Sequence, residues 1–256
     1  MRDLLDILRF KTKNFNISLE HAEVSVSTDL RKKLESNLLE GVPLSMLMGF
    51  SEFYHHRFYI DEHVLIPRPE TEYMVDLLVF EFKGKANNVL DIGVGSGVIL
   101  LSLLNFGVGK SGVGIDNSLE ALNVAKINTR RLKLQDKVIL TKGDRLFEVR
   151  GKFDLIVSNP PYIKAHAHSS LVHPSVHKHE PHNALYLPDD GYEAWFLTFF
   201  QSVKSHLNGV FMMEGHELEL DEQAKMLKFL GFQNVQVLKD LSGAKRYLRG
   251  FFSFPS

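Results

Sequence analysis

An apolar segment followed by a series of glycines is the most informative feature of the first half of the chain. The run Val89–Ile92 predicts a buried β-strand, and the residues after it place glycine at every second position, namely Gly93, Gly95 and Gly97. A helical pattern begins at Val98, and the next apolar segment, Ser111–Ile115, ends in the acid Asp116. Strand, glycine loop, helix and acid-ended strand together predict the first half of a nucleotide-binding α/β sheet.

The residues of this loop distinguish between nucleotide ligands. A dinucleotide fingerprint has the form G-x-G-x-x-G, whereas Val98 stands where its third glycine would be. Asp91, at the predicted strand end, would repel a pyrophosphate but attract the α-ammonium group of S-adenosylmethionine. Asp116 can accept hydrogen bonds from both ribose hydroxyls. The loop therefore favours S-adenosylmethionine over NAD, and a P-loop is excluded because no Lys-Ser/Thr pair follows the glycines.

Short apolar runs continue to alternate with helical patterns through the rest of the chain. They predict five further strands at Val138–Leu140, Phe153–Val157, Val210–Met213, Val235–Val237 and Arg246–Phe252. Because helices and strands alternate to the end, we predict an α/β fold with one doubly wound, Rossmann-like sheet of seven strands.

Gly143, Asp144 and Arg145 follow the third predicted strand and belong to the same sheet edge as the glycine loop. Asp144 could accept a hydrogen bond from an adenine amino group, and Arg145 or Phe147 could lie against the adenine ring. A plain turn explains Asp144 equally well.

The predicted strand Phe153–Val157 stops abruptly at an Asn-Pro-Pro-Tyr sequence, because proline has no N–H and cannot continue a central ladder. The side-chain oxygen of Asn159 and the carbonyl of Pro160 can both accept hydrogen bonds, so together they can hold an NH2 group by its two hydrogens. Tyr162 adds a flat face. The motif therefore suits a planar amide or an exocyclic amine, although an Asx-Pro turn that closes a strand is the structural alternative.

Composition excludes several classes of protein. The 256 residues carry a net charge of -1, so no overall basic field collects nucleic acid. The chain has no cysteine, which excludes disulfides and thiolate zinc sites. No apolar run is long enough to span a bilayer, and the acids in residues 1–6 do not suit a signal peptide. We therefore expect a cytoplasmic protein with no membrane contact.

Residues 163–188, called the lid segment below, contain six of the 12 histidines of the chain. The spacing of these histidines does not match that of a known metal site, and we predict no metal site. A long segment of this kind inside a compact domain is usually functional, so we predict that it covers the site. Glu180-Pro181 is its acid-proline pair.

The region before the sheet predicts two smaller parts. Residues 1–41 have leucines at helical spacing, and so small a segment must pack on the rest of the chain. Aromatic and polar residues alternate from Phe50 to Ile66, and the polar break at residues 61–63 predicts a β-hairpin. The Pro67–Glu72 run that follows suits a helix start, which explains its prolines and glutamates but neither Arg68 nor Thr71.

With these motifs in view, the chain resembles the glutamine-N5 methyltransferases that modify peptide-chain release factors, the HemK/PrmC family. The resemblance runs from about Pro43 to Gly250. It rests on five motifs: Phe53…Phe58 leading to Leu65–Glu72, Asp91–Gly93 with the glycines to Gly97, Asn159–Ile163, Glu180-Pro181 with Ala184-Leu185 and Asp190-Gly191, and Lys239–Gly243.

The resemblance implies a class I methyltransferase that acts on the glutamine of a Gly-Gly-Gln motif with S-adenosylmethionine as cofactor. It implies a small N-terminal helical substrate-recognition domain in residues 1–45, a β-hairpin linker in residues 46–66 and the methyltransferase domain in residues 67–256. The expected catalytic residues are Asn159, Pro160 and Tyr162. The expected cofactor-binding residues are Asp91, Gly93, Gly95, Gly97, Asp116, Asp144, Arg145 and Asn159, and the expected substrate-binding residues are Asn159, Pro160, Pro161, Tyr162 and Glu180.

The chain also departs from the family pattern. Its N-terminal segment is shorter than in the family, and Glu214-Gly215-His216 stands where the family usually has Glu-Ile-Gly. Arg145 stands where some relatives carry an aromatic residue.

Two other functions compete with release-factor methylation. An amine methyltransferase acting on a nucleic-acid base shares the Asn-Pro-Pro-Tyr motif, but the net charge of -1 argues against it. A non-catalytic module that binds S-adenosylmethionine would need a damaged catalytic loop, whereas Asn159–Tyr162 are intact. We expect release factors as partners, no direct nucleic-acid contact and a monomeric state.

Overall fold

The computed structural model describes residues 28–144 and 149–254. It begins with helix α1 (Thr28–Leu39) and helix α2 (Leu44–Met48). Leu34 of α1 is buried against a small apolar group made of Leu38, Leu44, Leu47 and Met48. The predicted helical pattern before residue 28 and the predicted contact of Arg145 or Phe147 with the adenine ring lie outside the described residues.

The predicted β-hairpin is present, but its turn lies earlier than the polar break suggested. Strands β1 (Phe50–Phe53) and β2 (His56–Tyr59) pair antiparallel, with Phe53 opposite His56. Tyr54 and His55 make the turn with φ of 42° and 66°. A two-residue turn with positive φ matches the twist of the two strands, and here it forms without the Asn or Gly that usually marks it.

Seven strands form one sheet, which confirms the predicted fold class. They are β3 (Asn88–Ile92), β4 (Ser111–Asp116), β5 (Val138–Lys142), β6 (Phe153–Ser158), β9 (Leu207–Glu214), β10 (Gln233–Lys239) and β11 (Lys245–Phe252). Two short strands, β7 (Ile163–Lys164) and β8 (Tyr186–Leu187), pair with each other outside this sheet. The sheet order is β10-β11-β9-β6-β3-β4-β5, and only the two pairs that involve β11 are antiparallel.

Helices cover both faces of the sheet. They are α3 (Pro69–Phe82), α4 (Val98–Asn105), α5 (Leu119–Arg131), α8 (Tyr192–His206) and α9 (Leu220–Phe229), together with α6 (Pro174–His179) and α7 (His182–Leu185) in the lid segment. Alternate residues of a strand point to opposite faces. Leu155 and Val157 therefore pack with the α3, α4 and α5 cluster, whereas Ile156 packs with the aromatic side of α8.

The lid segment contains short regular elements. It begins with β7, continues through a 3₁₀ turn at Ser169–Leu171 and the helices α6 and α7, and ends at β8. Helix α6 contacts the end of α1, where Ser175 Oγ donates to the carbonyl of Gly41 at 2.8 Å. In residues 28–144 and 149–254, no helix has both the length and the apolar character needed to cross a bilayer.

Candidate active site

A cavity opens at the edge of the sheet where β3, β4 and β6 end. Its wall combines the glycine loop, the end of β4, the residues after β6 and parts of α3 and of the lid segment. Parallel sheets hold ligands at this edge, because loops that follow neighbouring strands converge there. The topology therefore brings motifs that are far apart in the sequence into one site.

The glycine loop is held against the end of β4. The N–H groups of Gly93 and Val94 both donate to the carbonyl of Ile115 at 2.8 Å. Gly93, Gly95 and Gly97 have φ of 74°, 53° and 85°, a region that residues with a side chain rarely adopt. The backbone therefore turns sharply, and Gly93 and Gly95 line the cavity, whereas Gly97 does not.

Asp116 presents its carboxylate on the cavity wall. Its Oδ2 accepts from the N–H of Gly95 at 2.9 Å, and its Oδ1 accepts from the N–H of Ser118 at 2.9 Å. Burial raises the pKa of Asp116, while these backbone hydrogen bonds favour its charged form. Each oxygen retains acceptor capacity, so the group can receive further hydrogen bonds from hydroxyls.

Asp91 lies behind the glycine loop and is not among the residues that line the cavity. Its Oδ2 accepts from the N–H of Leu100 in α4 at 3.2 Å, and its Oδ1 is buried with no hydrogen-bond partner in the described structure. Burial, with a smaller contribution from the charge of Asp116, raises the pKa of Asp91 to about 8.

Asp144 lies on the cavity wall beside Gly143, as the sheet-edge prediction requires. The N–H of Gly143 donates to the carbonyl of Asp116 at 3.0 Å, which holds the end of β5 beside the end of β4. The position of Asp144 suits a contact with the base of a nucleotide whose ribose faces Asp116.

The residues after β6 contribute Asn159, Pro160 and Pro161 to the wall. Nδ2 of Asn159 donates to Thr71 Oγ1 and to Glu214 Oε2, both at 3.2 Å. Because the nitrogen end of the side-chain amide is occupied, its oxygen is the end that remains for a ligand.

Tyr162 is not on the cavity wall, although the sequence suggested a flat face beside the substrate. Its hydroxyl donates to Glu214 Oε1 at 2.9 Å, and its carbonyl accepts from the hydroxyl of Tyr192 at 2.9 Å. Burial, and then the negative charge of Glu214, raise the pKa of Tyr162 well above its ordinary value. Tyr162 therefore supports the motif from behind.

Two residues of the site have no role in the sequence interpretation. Thr71 lines the cavity, and its hydroxyl donates to Glu214 Oε2 at 2.6 Å. Glu214, the last residue of β9, is 1% exposed. Burial raises the pKa of Glu214, whereas hydrogen bonds from Thr71 and Tyr162 and the charge of Arg246 oppose that rise. The sequence signals for this pair were a threonine that the helix start did not explain and the family's strand-end motif, in which Glu214 stands.

Glu180 and Arg68 connect the lid segment to the start of α3. The carboxylate of Glu180 has 0% side-chain exposure and accepts from the Arg68 guanidinium at 2.5 Å and from the N–H of Ile66 at 2.9 Å. Arg68 lines the cavity, whereas Glu180 does not. Asn183, Ala184 and Leu187 of the lid segment also reach the wall.

Two histidines of the lid segment serve as local hydrogen-bond partners. Nδ1 of His177 lies 2.9 Å from the hydroxyl of Tyr186, and Nε2 of His182 lies 2.7 Å from the carbonyl of His177. In the part of the chain that the structure describes, no three His, Cys, Asp or Glu side chains are grouped so that they could hold a metal ion.

The hydrogen-bonding groups of the cavity wall fit S-adenosylmethionine. A glycine loop with positive φ and the carboxylate of Asp116 on the cavity wall suit a ligand that carries hydroxyl groups and no phosphate.

Comparison with known proteins shows which family this chain belongs to. Residues 70–211 match the family model described as Methyltransferase small domain. The release factor glutamine methyltransferase of Rhodopirellula baltica is 35% identical over 223 residues, which cover 82% of this chain and 73% of that protein. The protein of the same name from Streptococcus pneumoniae is 32% identical over 243 residues, 92% of this chain and 86% of its own length.

Solved structures show the same fold. A methyltransferase from Pyrococcus furiosus is 20% identical with a TM-score of 0.57, and the match covers 90% of this chain and all of that one. A ribosomal protein L11 methylase from Lactobacillus delbrueckii subsp. bulgaricus is 24% identical with a TM-score of 0.54, covering 73% of this chain and 81% of that one.

These relatives confirm the predicted enzyme class, a methyltransferase, and its predicted methyl donor, S-adenosylmethionine. By its sequence and its seven-stranded sheet, this chain belongs to the family of release factor glutamine methyltransferases.

Proposed function

We propose that this protein transfers a methyl group to the side-chain amide nitrogen, N5, of the glutamine in the Gly-Gly-Gln motif of peptide-chain release factors. The observation that carries the proposal is the orientation of Asn159. Its Nδ2 is occupied by Thr71 and Glu214, so its Oδ1 and the carbonyl of Pro160 are left to accept the two hydrogens of an NH2 group.

We assign the cofactor to the other half of the cavity. Gly93, Gly95 and Gly97 form the loop, Asp116 accepts from the ribose hydroxyls, and Asp144 accepts from the base. Asp91, behind the loop, is the proposed partner of the α-ammonium group, whose positive charge would favour the ionised form of this carboxyl. When bound, S-adenosylmethionine supplies an electrophilic methyl group. Arg145 is a proposed neighbour of the base, and this proposal rests on the sequence alone.

The task of the protein in this reaction is positioning. An amide nitrogen is a poor nucleophile because its lone pair is delocalised into the carbonyl, and the chain has no cysteine for a covalent route. Asn159 and the Pro160 carbonyl would fix both amide hydrogens and direct the nitrogen. These hydrogen bonds strengthen as positive charge builds on nitrogen, so they favour the transition state over the ground state. The methylated, positively charged amide is a strong acid, so its proton can leave without a dedicated base.

The lid segment and the N-terminal helices are the proposed protein-binding elements. Glu180 would contribute to the substrate site indirectly, because it holds Arg68 at the cavity wall. A release factor must present its glutamine at the part of the cavity that these elements border. A monomeric state, a cytoplasmic location and the absence of nucleic-acid contact remain predictions.

A substrate comparison tests the proposal against methylation of a nucleic-acid base. The purified protein is incubated with radiolabelled S-adenosylmethionine and, in parallel, with a release factor, duplex DNA and structured RNA. We expect label on the release factor alone. Label on either nucleic acid, or on none of the three, would contradict the proposal.

A further inference from the structure

The carboxylate of Glu214 is fully enclosed by side chains that donate hydrogen bonds to it. Thr71 Oγ1 lies 2.6 Å from Oε2, Asn159 Nδ2 lies 3.2 Å from the same oxygen, and the Tyr162 hydroxyl lies 2.9 Å from Oε1. Nδ2 of Asn159 also donates to Thr71, so a second path leads from the amide to the carboxylate. The donors belong to two segments, the start of α3 and the Asn-Pro-Pro-Tyr motif after β6, which meet the end of β9 only in the folded protein.

A buried carboxylate in this position lowers the stability of the folded protein, so its presence suggests a function. Removing a carboxylate from water costs several kcal/mol, and an apolar side chain of similar size would often be more stable. Three donors and the nearby charge of Arg246 offset part of that cost. Thr71 and Asn159 also line the cavity, so the carboxylate lies directly behind two of its wall residues.

We propose that Glu214 is the positioning residue of this site, which holds the Asn159 amide with its oxygen toward the substrate and increases the negative charge on that oxygen. This role rests on the function proposed above. Glu214 acts through Asn159 and does not itself contact the substrate.

The physical reason is the near symmetry of a carboxamide. The oxygen and the NH2 group of Asn159 have almost the same size, so packing alone does not choose between two orientations related by a flip. In the flipped orientation, the amide oxygen would face the Glu214 carboxylate, and an NH2 group would face the NH2 group of the glutamine. Both contacts are repulsive. The charge of Glu214 therefore selects the orientation that accepts hydrogen bonds.

The same contact makes Asn159 a better acceptor. A hydrogen bond to an ionised group is stronger than a neutral one, and bonds in a chain polarise each other. Donation from Nδ2 to the carboxylate shifts electron density toward Oδ1. A more negative Oδ1 interacts more strongly with a glutamine nitrogen that is gaining positive charge, so the gain falls on kcat and not on binding.

The first test replaces Glu214 with glutamine, which keeps the size and removes the charge. We expect Glu214→Gln to lower kcat roughly 10- to 100-fold, with KM for the release factor and Kd for S-adenosylmethionine within about threefold of wild type. Glu222→Gln is the control, because Glu222 is exposed on α9 and pairs with Lys225. A kcat of Glu214→Gln equal to that of the control would overturn the proposal.

Thr71 provides a matched pair that does not remove the carboxylate. Thr71→Val keeps the shape but loses the hydroxyl, whereas Thr71→Ser keeps the hydroxyl. We expect Thr71→Ser to be at least about tenfold more active than Thr71→Val. Adding Glu214→Gln to Asn159→Ala should cost no further activity, because Glu214 acts only through Asn159. Equal losses in the two Thr71 variants, or independent losses in the double variant, would indicate a merely structural role.

A measurement without turnover separates this role from the proposed function. Hydrogen exchange of the Asn159 side-chain NH2 group, followed by NMR in the free protein, reports its hydrogen bonds directly. We expect slow exchange in the wild type and in Thr71→Ser, and faster exchange in Glu214→Gln and Thr71→Val. Exchange that is the same in all four proteins would overturn the positioning role. A wild type with slow exchange that fails to methylate release factors would contradict the proposed function alone.

Discussion

Asn159 and Glu214 are 55 positions apart in the chain, yet Nδ2 of the first lies 3.2 Å from Oε2 of the second. The contact exists because β6 and β9 are parallel neighbours, with Ser158 paired to Met213, so that Asn159, just after β6, meets Glu214, the last residue of β9. The topology thus places a carboxylate of the adjacent strand against the side-chain amide of Asn159.

The first prediction concerns the pH dependence of activity. Burial raises the pKa of Glu214, so its carboxylate gains a proton at a higher pH than an ordinary glutamate. The groups that face it are Tyr162, Arg246 and, at longer range, Glu70. We expect kcat to fall as the pH is lowered through this raised pKa, because a protonated Glu214 no longer selects the Asn159 orientation. In Glu214→Gln, kcat should not fall in this way at low pH. An identical dependence of kcat on pH in the two proteins would contradict the prediction.

The second prediction concerns the cofactor. Asp116→Ala should weaken binding of S-adenosylmethionine by about 1–3 kcal/mol, because it removes charge-assisted hydrogen bonds to the ribose. Calorimetry measures the change, and Asp136→Ala is the control at an exposed position. The wild type should bind NAD far more weakly than S-adenosylmethionine. Comparable affinities for the two nucleotides would refute the assignment of the glycine loop.

The third prediction concerns Asp91 and stability. Its pKa is about 8 in the folded protein against an ordinary value near 4, so the folded state favours the protonated form. The stabilising contribution is complete below the unfolded pKa and is lost as the pH rises toward 8. Urea unfolding from pH 5 to pH 8 should show the wild type losing about 1 kcal/mol per pH unit relative to Asp91→Asn. Parallel curves would show that Asp91 is not buried as a neutral acid.

The sequence was sufficient for elements whose pattern is local. Apolar runs predict all seven strands of the sheet, and the Asn-Pro-Pro-Tyr motif predicts the two acceptors at the end of β6. The role of Glu214 was not accessible, because it depends on which strand lies beside β6, and periodicity says nothing about strand order.

Two smaller differences between the prediction and the structure also have physical causes. Asp91 shares the face of β3 with Val89, which packs toward α4, so its carboxylate turns to the N–H of Leu100 and away from the cavity wall. The hairpin turn uses Tyr54 and His55 at positive φ, residues that carry no turn signal in the sequence.

The fourth prediction concerns the lid segment. Glu180 connects it to the cavity wall, because this carboxylate accepts from Arg68 and from the N–H of Ile66. We expect the amides of residues 163–188 to exchange faster in the free enzyme than in the complex with a release factor, because the substrate holds the segment closed. Helix α9 should show no change and serves as the internal reference. Equal protection of the lid segment in both states would exclude closure.

Removing the Glu180 contact refines the same experiment. Arg68→Ala should increase exchange in residues 163–188 of the free enzyme, because the buried carboxylate of Glu180 loses its cationic partner. Chelators should leave the activity unchanged, since no metal is expected in the histidine-rich segment. Loss of activity on chelation would contradict the prediction that this segment holds no metal.

The most direct measurement is mass spectrometry of the release-factor peptide that contains Gly-Gly-Gln, after incubation with S-adenosylmethionine and either the wild type or Asn159→Ala. We expect the wild type to add one methyl group to the glutamine side chain. Asn159→Ala should lower kcat by roughly 10²- to 10³-fold, because one acceptor that orients the amide is lost. Methylation at another residue, or a kcat of Asn159→Ala within a few-fold of wild type, would contradict the role assigned to this loop.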